Sequence, residues 1–107
     1  MQEADWKTFS KMVPELRERY LRGKNQELAA LLAATGKTET ERFWDTEECV
    51  RREGKILCDC LDDLRRSRLF ETLLSMRHHG MLRDEDLAQF SSELQKRVRE
   101  FDDVRRR

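Results

Sequence analysis

The sequence predicts an all-α protein, a bundle of four principal amphipathic helices, and three observations carry that expectation. Apolar side chains recur at three- and four-residue intervals through most of the chain, the spacing that lines one face of a helix. Charged residues, 41% of the total, fill the positions between them with alternating sign, as on a solvated helical surface. A single proline leaves few places where helix is forbidden.

The first segment spans residues 3–35. Trp6, Phe9, Val13, Leu16 and Tyr20 follow one another at alternating steps of three and four and so share one narrow arc, a core face. Acidic Glu3 and Asp5 suit the positive end of the helix dipole. Pro14 lacks an amide hydrogen and predicts a kink or a restart of the helix there. From Gly23 to Glu27 the stripe turns polar, which leaves two outcomes: one helix continuing into solvent, or a break with Asn25 capping a second piece. Gly36 is placed to end the segment in the left-handed conformation.

The second segment spans 39–65. Thr38 and Glu41 have the spacing of a capping box, in which each side chain accepts the other's backbone amide. Phe43, Val50, Leu57, Leu61 and Leu64 form the main apolar stripe, with Cys49, Ile56 and Cys60 in a second row beside it. Gly54 falls on the main stripe, where its missing side chain either admits a neighbouring helix or simply weakens this one.

The third segment, 68–79, is expected to be capped by Ser67 and ended by Gly80, with Leu69, Phe70, Leu73, Leu74 and Met76 making it broadly apolar. Met81 and Leu82 then enter the core. The fourth segment, 84–104, opens on Asp84 as cap, with Glu85 and Asp86 complementing the dipole, and carries Leu87, Phe90, Leu94, Val98, Phe101 and Val104. Arg105, Arg106 and Arg107 read as a frayed basic tail.

The whole, residues 1–107, has the length of a single helical domain with one modest core. Lys plus Arg equal Asp plus Glu at 22 each, so no global field draws the chain to nucleic acid or anionic lipid. Ion pairs at helical spacing are expected between Glu15 and Arg19, Glu18 and Arg22, Glu48 and Arg52, Asp62 and Arg66, and Glu93 and Arg97. Without an 18-residue apolar run or a signal-peptide pattern, no membrane role is expected. The three cysteines, Cys49, Cys58 and Cys60, then fit reduced thiols in the cytoplasm.

Chemistry-bearing patterns are sparse. Cys58 and Cys60, with His78 and His79, are the one cluster of metal-ligand residue types, but two cysteines two apart on a helix diverge by about 200° and cannot face one ion. No histidine is placed beside a thiol, and no Walker loop, Gly-x-Gly-x-x-Gly turn or His-Glu-x-x-His occurs, so neither an enzyme nor a cofactor is expected. The third and fourth segments have the spacing of a helix-turn-helix, yet Asp84, Glu85 and Asp86 would meet phosphates with like charge.

The function that remains is a protein–protein interaction or oligomerisation module, an adaptor or regulatory subunit that also pairs with itself as a homodimer. Leu94, Val98, Phe101 and Val104 extend past the reach of the shorter third helix, and Trp44 lies about 100° off its helix's apolar stripe, where it either anchors an interface or packs over the loop from Thr35 to Lys37 or against the first helix; these five are the candidate partner-binding residues. The alternative is a nucleic-acid-associated accessory protein using Arg17, Arg19, Arg22 and Lys24 with Lys96, Arg97 and Arg99. A thiol or metal protein using Cys58 and Cys60 is the third reading.

Overall fold

The computed structural model describes residues 2–106 and contains, among them, helices and no strand. Helix α1 spans Glu3–Leu32, α2 Glu39–Leu61, α3 Leu69–His78, α4 Asp84–Leu87 and α5 Ser92–Arg106, with a 3₁₀ turn at Arg66–Arg68 before α3. The all-α bundle is as the apolar periodicity predicts, while several joints and faces differ.

Helix α1 is one unbroken helix of 30 residues. Phe9, Val13, Leu16 and Tyr20 are buried on its core face, Trp6 packs partly against them, and Pro14 sits exposed on the outer side. The polar stretch at Gly23–Glu27 does not break it; Lys24 and Glu27 pair across one turn at 3.4 Å, and Asn25 caps nothing. Gly36 adopts a φ of +75°, but three residues beyond α1's cap at Ala33, so it turns the joint to α2 rather than ending the helix.

Helix α2 opens with the predicted capping box: Thr38 Oγ1 accepts the Glu41 amide at 3.0 Å and the Glu41 carboxylate accepts the Thr38 amide at 3.1 Å. It ends at Leu61, short of residue 65, because Asp62 is extended and Asp63 takes a φ of 58°. Aspartate tolerates that left-handed conformation, and here its carboxylate also accepts Arg65 Nε at 2.6 Å. Ser67 lies inside the following turn and caps nothing; α3 starts without a side-chain cap.

The two rows on α2 exchange roles. Cys49, Glu53 and Cys60 are the buried positions, with Ile56 packed on the core beside them, while Phe43 and Val50 of the supposed main stripe are more than half exposed. Leu57, Leu61 and Leu64 rest on the edge of the core. A side chain built at Gly54 would meet only open space, so no helix of this chain approaches there.

Helix α3 ends as predicted. Gly80 has a φ of +76°, the Met81 amide donates to Met76 O at 2.8 Å and the Gly80 amide to Arg77 O at 3.1 Å, a Schellman closure whose two methionines are both buried. The fourth segment, expected to be one helix over 84–104, is instead divided: α4 is a single turn and α5 starts afresh at Ser92. Ser91 Oγ accepts the Leu94 amide at 3.3 Å as the cap of α5, and Gln95 Nε2 donates to Phe90 O at 2.8 Å, occupying a carbonyl freed by the break. A one-turn α4 removes the recognition helix that a helix-turn-helix needs. Helix α5 runs through Arg106, so the expected frayed tail keeps helical backbone there; Arg107 lies outside the described residues.

Buried charges tie these pieces together. Asp5, 4% exposed, accepts the Ser91 amide at 2.7 Å and its hydroxyl at 2.6 Å, fixing the start of α5 to the start of α1. Arg19 donates to both Asp86 oxygens, at 3.2 and 2.6 Å, and to Met81 O at 3.1 Å. Burial pulls the Asp86 carboxyl upward, but hydrogen bonds from Arg19 and from the Arg83 amide, with the Arg19 charge, outweigh it and hold it below the usual carboxylate range. None of the five ion pairs expected at i,i+4 spacing forms; Arg19 spans 67 residues instead of reaching Glu15.

One continuous core results, in which Phe9, Leu16, Cys60, Leu69, Leu73, Met76, Met81, Leu87 and Val98 are the most deeply buried. All of it lies against α1 before Leu21 and α2 after Glu48. The radius of gyration is 16.6 Å, against about 13 Å for a compact chain of this length, and the molecule measures 52 × 32 × 21 Å. The excess length is the far half of the α1–α2 hairpin.

Candidate interaction surface on the projecting hairpin

From Leu21 to Glu48 no residue is buried. This arm is nevertheless well tied along its length. At its base, the Tyr20 hydroxyl donates to the buried Glu53 carboxylate, and Lys24 Nζ lies 3.8 Å from the same group. Burial, then the Glu53 hydrogen bond and charge, push the Tyr20 phenol well above its ordinary value. At the tip, Arg42 Nε donates to Ala34 O at 2.8 Å and its guanidinium pairs with Glu39, while Lys37 meets Asp45 at 2.5 Å. Asp45 raises the pKa of Lys37, and the Thr38 cap lowers that of Glu41.

On this tied frame the apolar residues point outward. Leu32 is 54% exposed, Phe43 and Trp44 58% each, and Val50 51%. The Phe43 and Trp44 rings meet edge to face with centroids 5.0 Å apart and, with Leu32, Glu39, Thr40 and Arg42, line an open groove of about 460 Å³. Trp44 is therefore exposed, the outcome that an interface anchor requires, and is not packed over the loop from Thr35 to Lys37. Phe43 and Val50 were missed as surface residues because the apolar pattern alone assigns them to the core, and Leu32 was not singled out.

The α5 candidates separate. Leu94 and Val98 are buried in the core, at 5% and 0% exposure, where α5 packs on α3; they offer no surface to a partner. Phe101 and Val104 remain exposed, Phe101 with its ring edge-on to Phe70 at 6.1 Å.

The basic residues of the nucleic-acid alternative are mostly engaged. Arg19 is committed to Asp86 and Met81, Lys24 to Glu27 and Glu53, Lys96 lies 4.0 Å from Glu100, and Arg97 stacks on the Phe70 ring at 4.3 Å. Arg17 and Arg22 are exposed on α1, and Arg99 lines a cleft with Asp102 and Asp103. These positions do not form an undiluted cationic stripe.

Cys58 is exposed and Cys60 buried, with Cys60 Sγ 3.6 Å from Ser75 Oγ. The Asp62 charge pushes the Cys58 thiol pKa up, and burial does the same to Cys60. His78 and His79 stack edge to face at the end of α3, with Arg105 Nη2 3.2 Å from His78 Nδ1. Among the described residues no three His, Cys, Asp or Glu side chains are grouped to hold a metal, and no helix is long and apolar enough to cross a membrane. A cleft between α1, α3 and α5 is lined by both signs of charge, Asp5, Glu71 and Glu93 with Arg66 and Arg97, and presents no convergent set of groups for one ligand. Comparison with protein-family models, with curated proteins and with solved structures finds no match to this chain.

Proposed function

We propose that the protein is a protein–protein interaction module, an adaptor or regulatory subunit, in which the α1–α2 arm engages the partner and the helical body anchors it. The observation that carries this reading is the 28-residue arm without a buried residue, tied by its capping box and ion pairs while Leu32, Phe43 and Trp44, with Val50 just beyond it, face outward. Large aromatics on a pre-ordered element lose little entropy on binding and are the residue types that dominate interface energetics. The role is one of binding without catalysis; raised pKa values keep the Cys58 and Cys60 thiols protonated and poor nucleophiles at neutral pH. Three free thiols support action in a reducing compartment, the cytoplasm.

The test is a photo-crosslinking residue introduced in place of Trp44 on the arm or, as a control, in place of exposed Glu71 on the body. Adducts with protein from Trp44 alone support the arm as the binding element. Adducts from Glu71 but not from Trp44 would place binding elsewhere and remove the proposal.

A further inference from the structure

Phe43, Val50 and Leu57 follow one another at intervals of seven residues on α2, with Gly54 between the last two. Seven residues close two turns to within about 20°, so the four positions make one straight seam about 21 Å long. It lies roughly 100° around the helix from the Cys49, Glu53 and Cys60 face that α1 covers. Phe43 and Val50 are more than half exposed, Gly54 opens onto empty space, and Leu57 joins the seam to the edge of the core. Such a seam has the period, the apolar residues and the one small residue that a second helix needs in order to pack closely.

The charges along it say which helix. Glu47 and Arg51 stand on the same flank, one turn apart, on either side of the level of Cys49 and Val50. More widely, Asp45, Glu47 and Glu48 precede Val50 while Arg51, Arg52 and Lys55 follow it, with Arg42 engaged by Ala34 and Glu39 and Glu53 turned to the buried face. When two copies of α2 pack antiparallel about a two-fold axis, each flank meets itself in reverse order. Glu47 then faces Arg51 of the second copy, and Arg51 faces its Glu47. Parallel packing would set each flank against the opposite one and would not bring Glu47 to Arg51. A net charge of zero removes any long-range opposition to self-association.

We propose that the seam Phe43–Val50–Gly54–Leu57 receives α2 of a second copy of this chain, antiparallel, about a two-fold axis between the levels of Cys49 and Val50. The proposal rests on the α1–α2 hairpin being the binding element, extends the interface from Phe43 on the arm to Leu57 at its base, and names its partner and register. A single-helix seam is at the small end of specific interfaces, which sets the expected dissociation constant on the order of 10 µM.

Sedimentation equilibrium of the full chain from about 1 to 300 µM brackets that value. A reversible dimer is expected. Val50→Asp, which would bury an unpaired charge at the axis, is expected to weaken it by about 100-fold, and Glu47→Arg or Arg51→Glu by about tenfold each. An equimolar mixture of those two swaps restores tight pairing, because only the mixed dimer matches opposite charges on both sides. Gly54→Gln keeps folding apart from association: a Cβ at this position meets no neighbour in the monomer and glutamine favours helix, so thermal stability is retained or raised while the dimer is lost. A monomer throughout the range, a dimer indifferent to all four substitutions, or a charge-swap mixture that fails to recover would overturn the proposal. If the chain is monomeric while Trp44 still crosslinks a different protein, the second copy is ruled out and the arm's binding role stands.

Discussion

The body and the arm of this molecule are built from the same two helices, yet they hold together by different means. In the body, α1 and α2 are covered by α3, α4 and α5, and the contact is a continuous apolar core closed by Asp5–Ser91 and Arg19–Asp86. Beyond Tyr20 and Glu53 those three elements run out. The arm keeps its form through the capping box, the Arg42–Ala34 and Lys37–Asp45 links, and continuity with helices already nucleated in the body. Helical order and burial are thus separable along one chain. The arm's local terms are worth tenths of a kcal/mol to about 1 kcal/mol each, whereas the body draws on an order of magnitude more from burial.

The sharpest way to break that contrast is to cut into the body. Leu73 is fully buried at the centre of the core, so Leu73→Ala is expected to cost about 2–5 kcal/mol in chemical denaturation. A cost below 1 kcal/mol would mean that the core does not carry the stability assigned to it. Next in size is the Arg19–Asp86 link. Asp86→Asn keeps the shape but removes the charge that the guanidinium faces, and about 2–3 kcal/mol should be lost, allowing for the partial exposure of Arg19. Since folding holds the Asp86 carboxyl below its ordinary 3.8, its contribution is complete above that pH and disappears as pH falls through the lower folded value. The acid limb of the stability curve should therefore flatten in Asp86→Asn.

Tyr20 and Glu53 mark the boundary between the two regions, and their effect should be intermediate. Tyr20→Phe leaves a buried carboxylate without its hydroxyl donor, at about 1–2 kcal/mol. A phenol raised above its ordinary 10.0 contributes stability that is present below that pH and declines as pH rises towards the folded value. Tyr20 is the sole tyrosine, so its ultraviolet titration reports this group alone. Ionisation at the ordinary pH while the fold is intact would show that the hydroxyl is not buried against Glu53.

Much of the local structure, in body and arm alike, could be read from the sequence. The steps of three and four in α1, the Thr38–Glu41 box and Gly80 all predict what the structure contains, since each depends on neighbours within one or two turns. What escaped is long-range. Nothing local to Arg19 says that it prefers Asp86 over Glu15, or that Asp5 will hold Ser91 and divide the last helix. A weaker signal was present: Asp5 stands in phase with Phe9 and Met12, and Glu53 with Cys49, Ile56 and Cys60, so a carboxylate occupies an apolar row in each case. Read that way, the Glu53 row is the buried face of α2, and Phe43 and Val50 fall outside it. The exposed site was illegible for the same reason, because an apolar stripe does not reveal whether this chain supplies the helix that covers it.

The smallest expected effect is the most informative about the arm. Trp44→Ala removes a large aromatic, a change that costs about 3–5 kcal/mol in a core. Here the indole touches the edge of Phe43, is more than half exposed, and leaves no cavity when it is removed. Measured at concentrations where the chain is monomeric, the change should stay within about 0.5 kcal/mol of zero. Fluorescence identifies the residue involved, because the other tryptophan, Trp6, is partly buried against the core and should emit further to the blue. The red-shifted, quencher-accessible part of the emission should vanish with Trp44 while the melting curve stays in place. A loss of more than about 1 kcal/mol in the monomer would instead show Trp44 filling a folding contact, and the arm would then be part of the body rather than a surface kept for a partner.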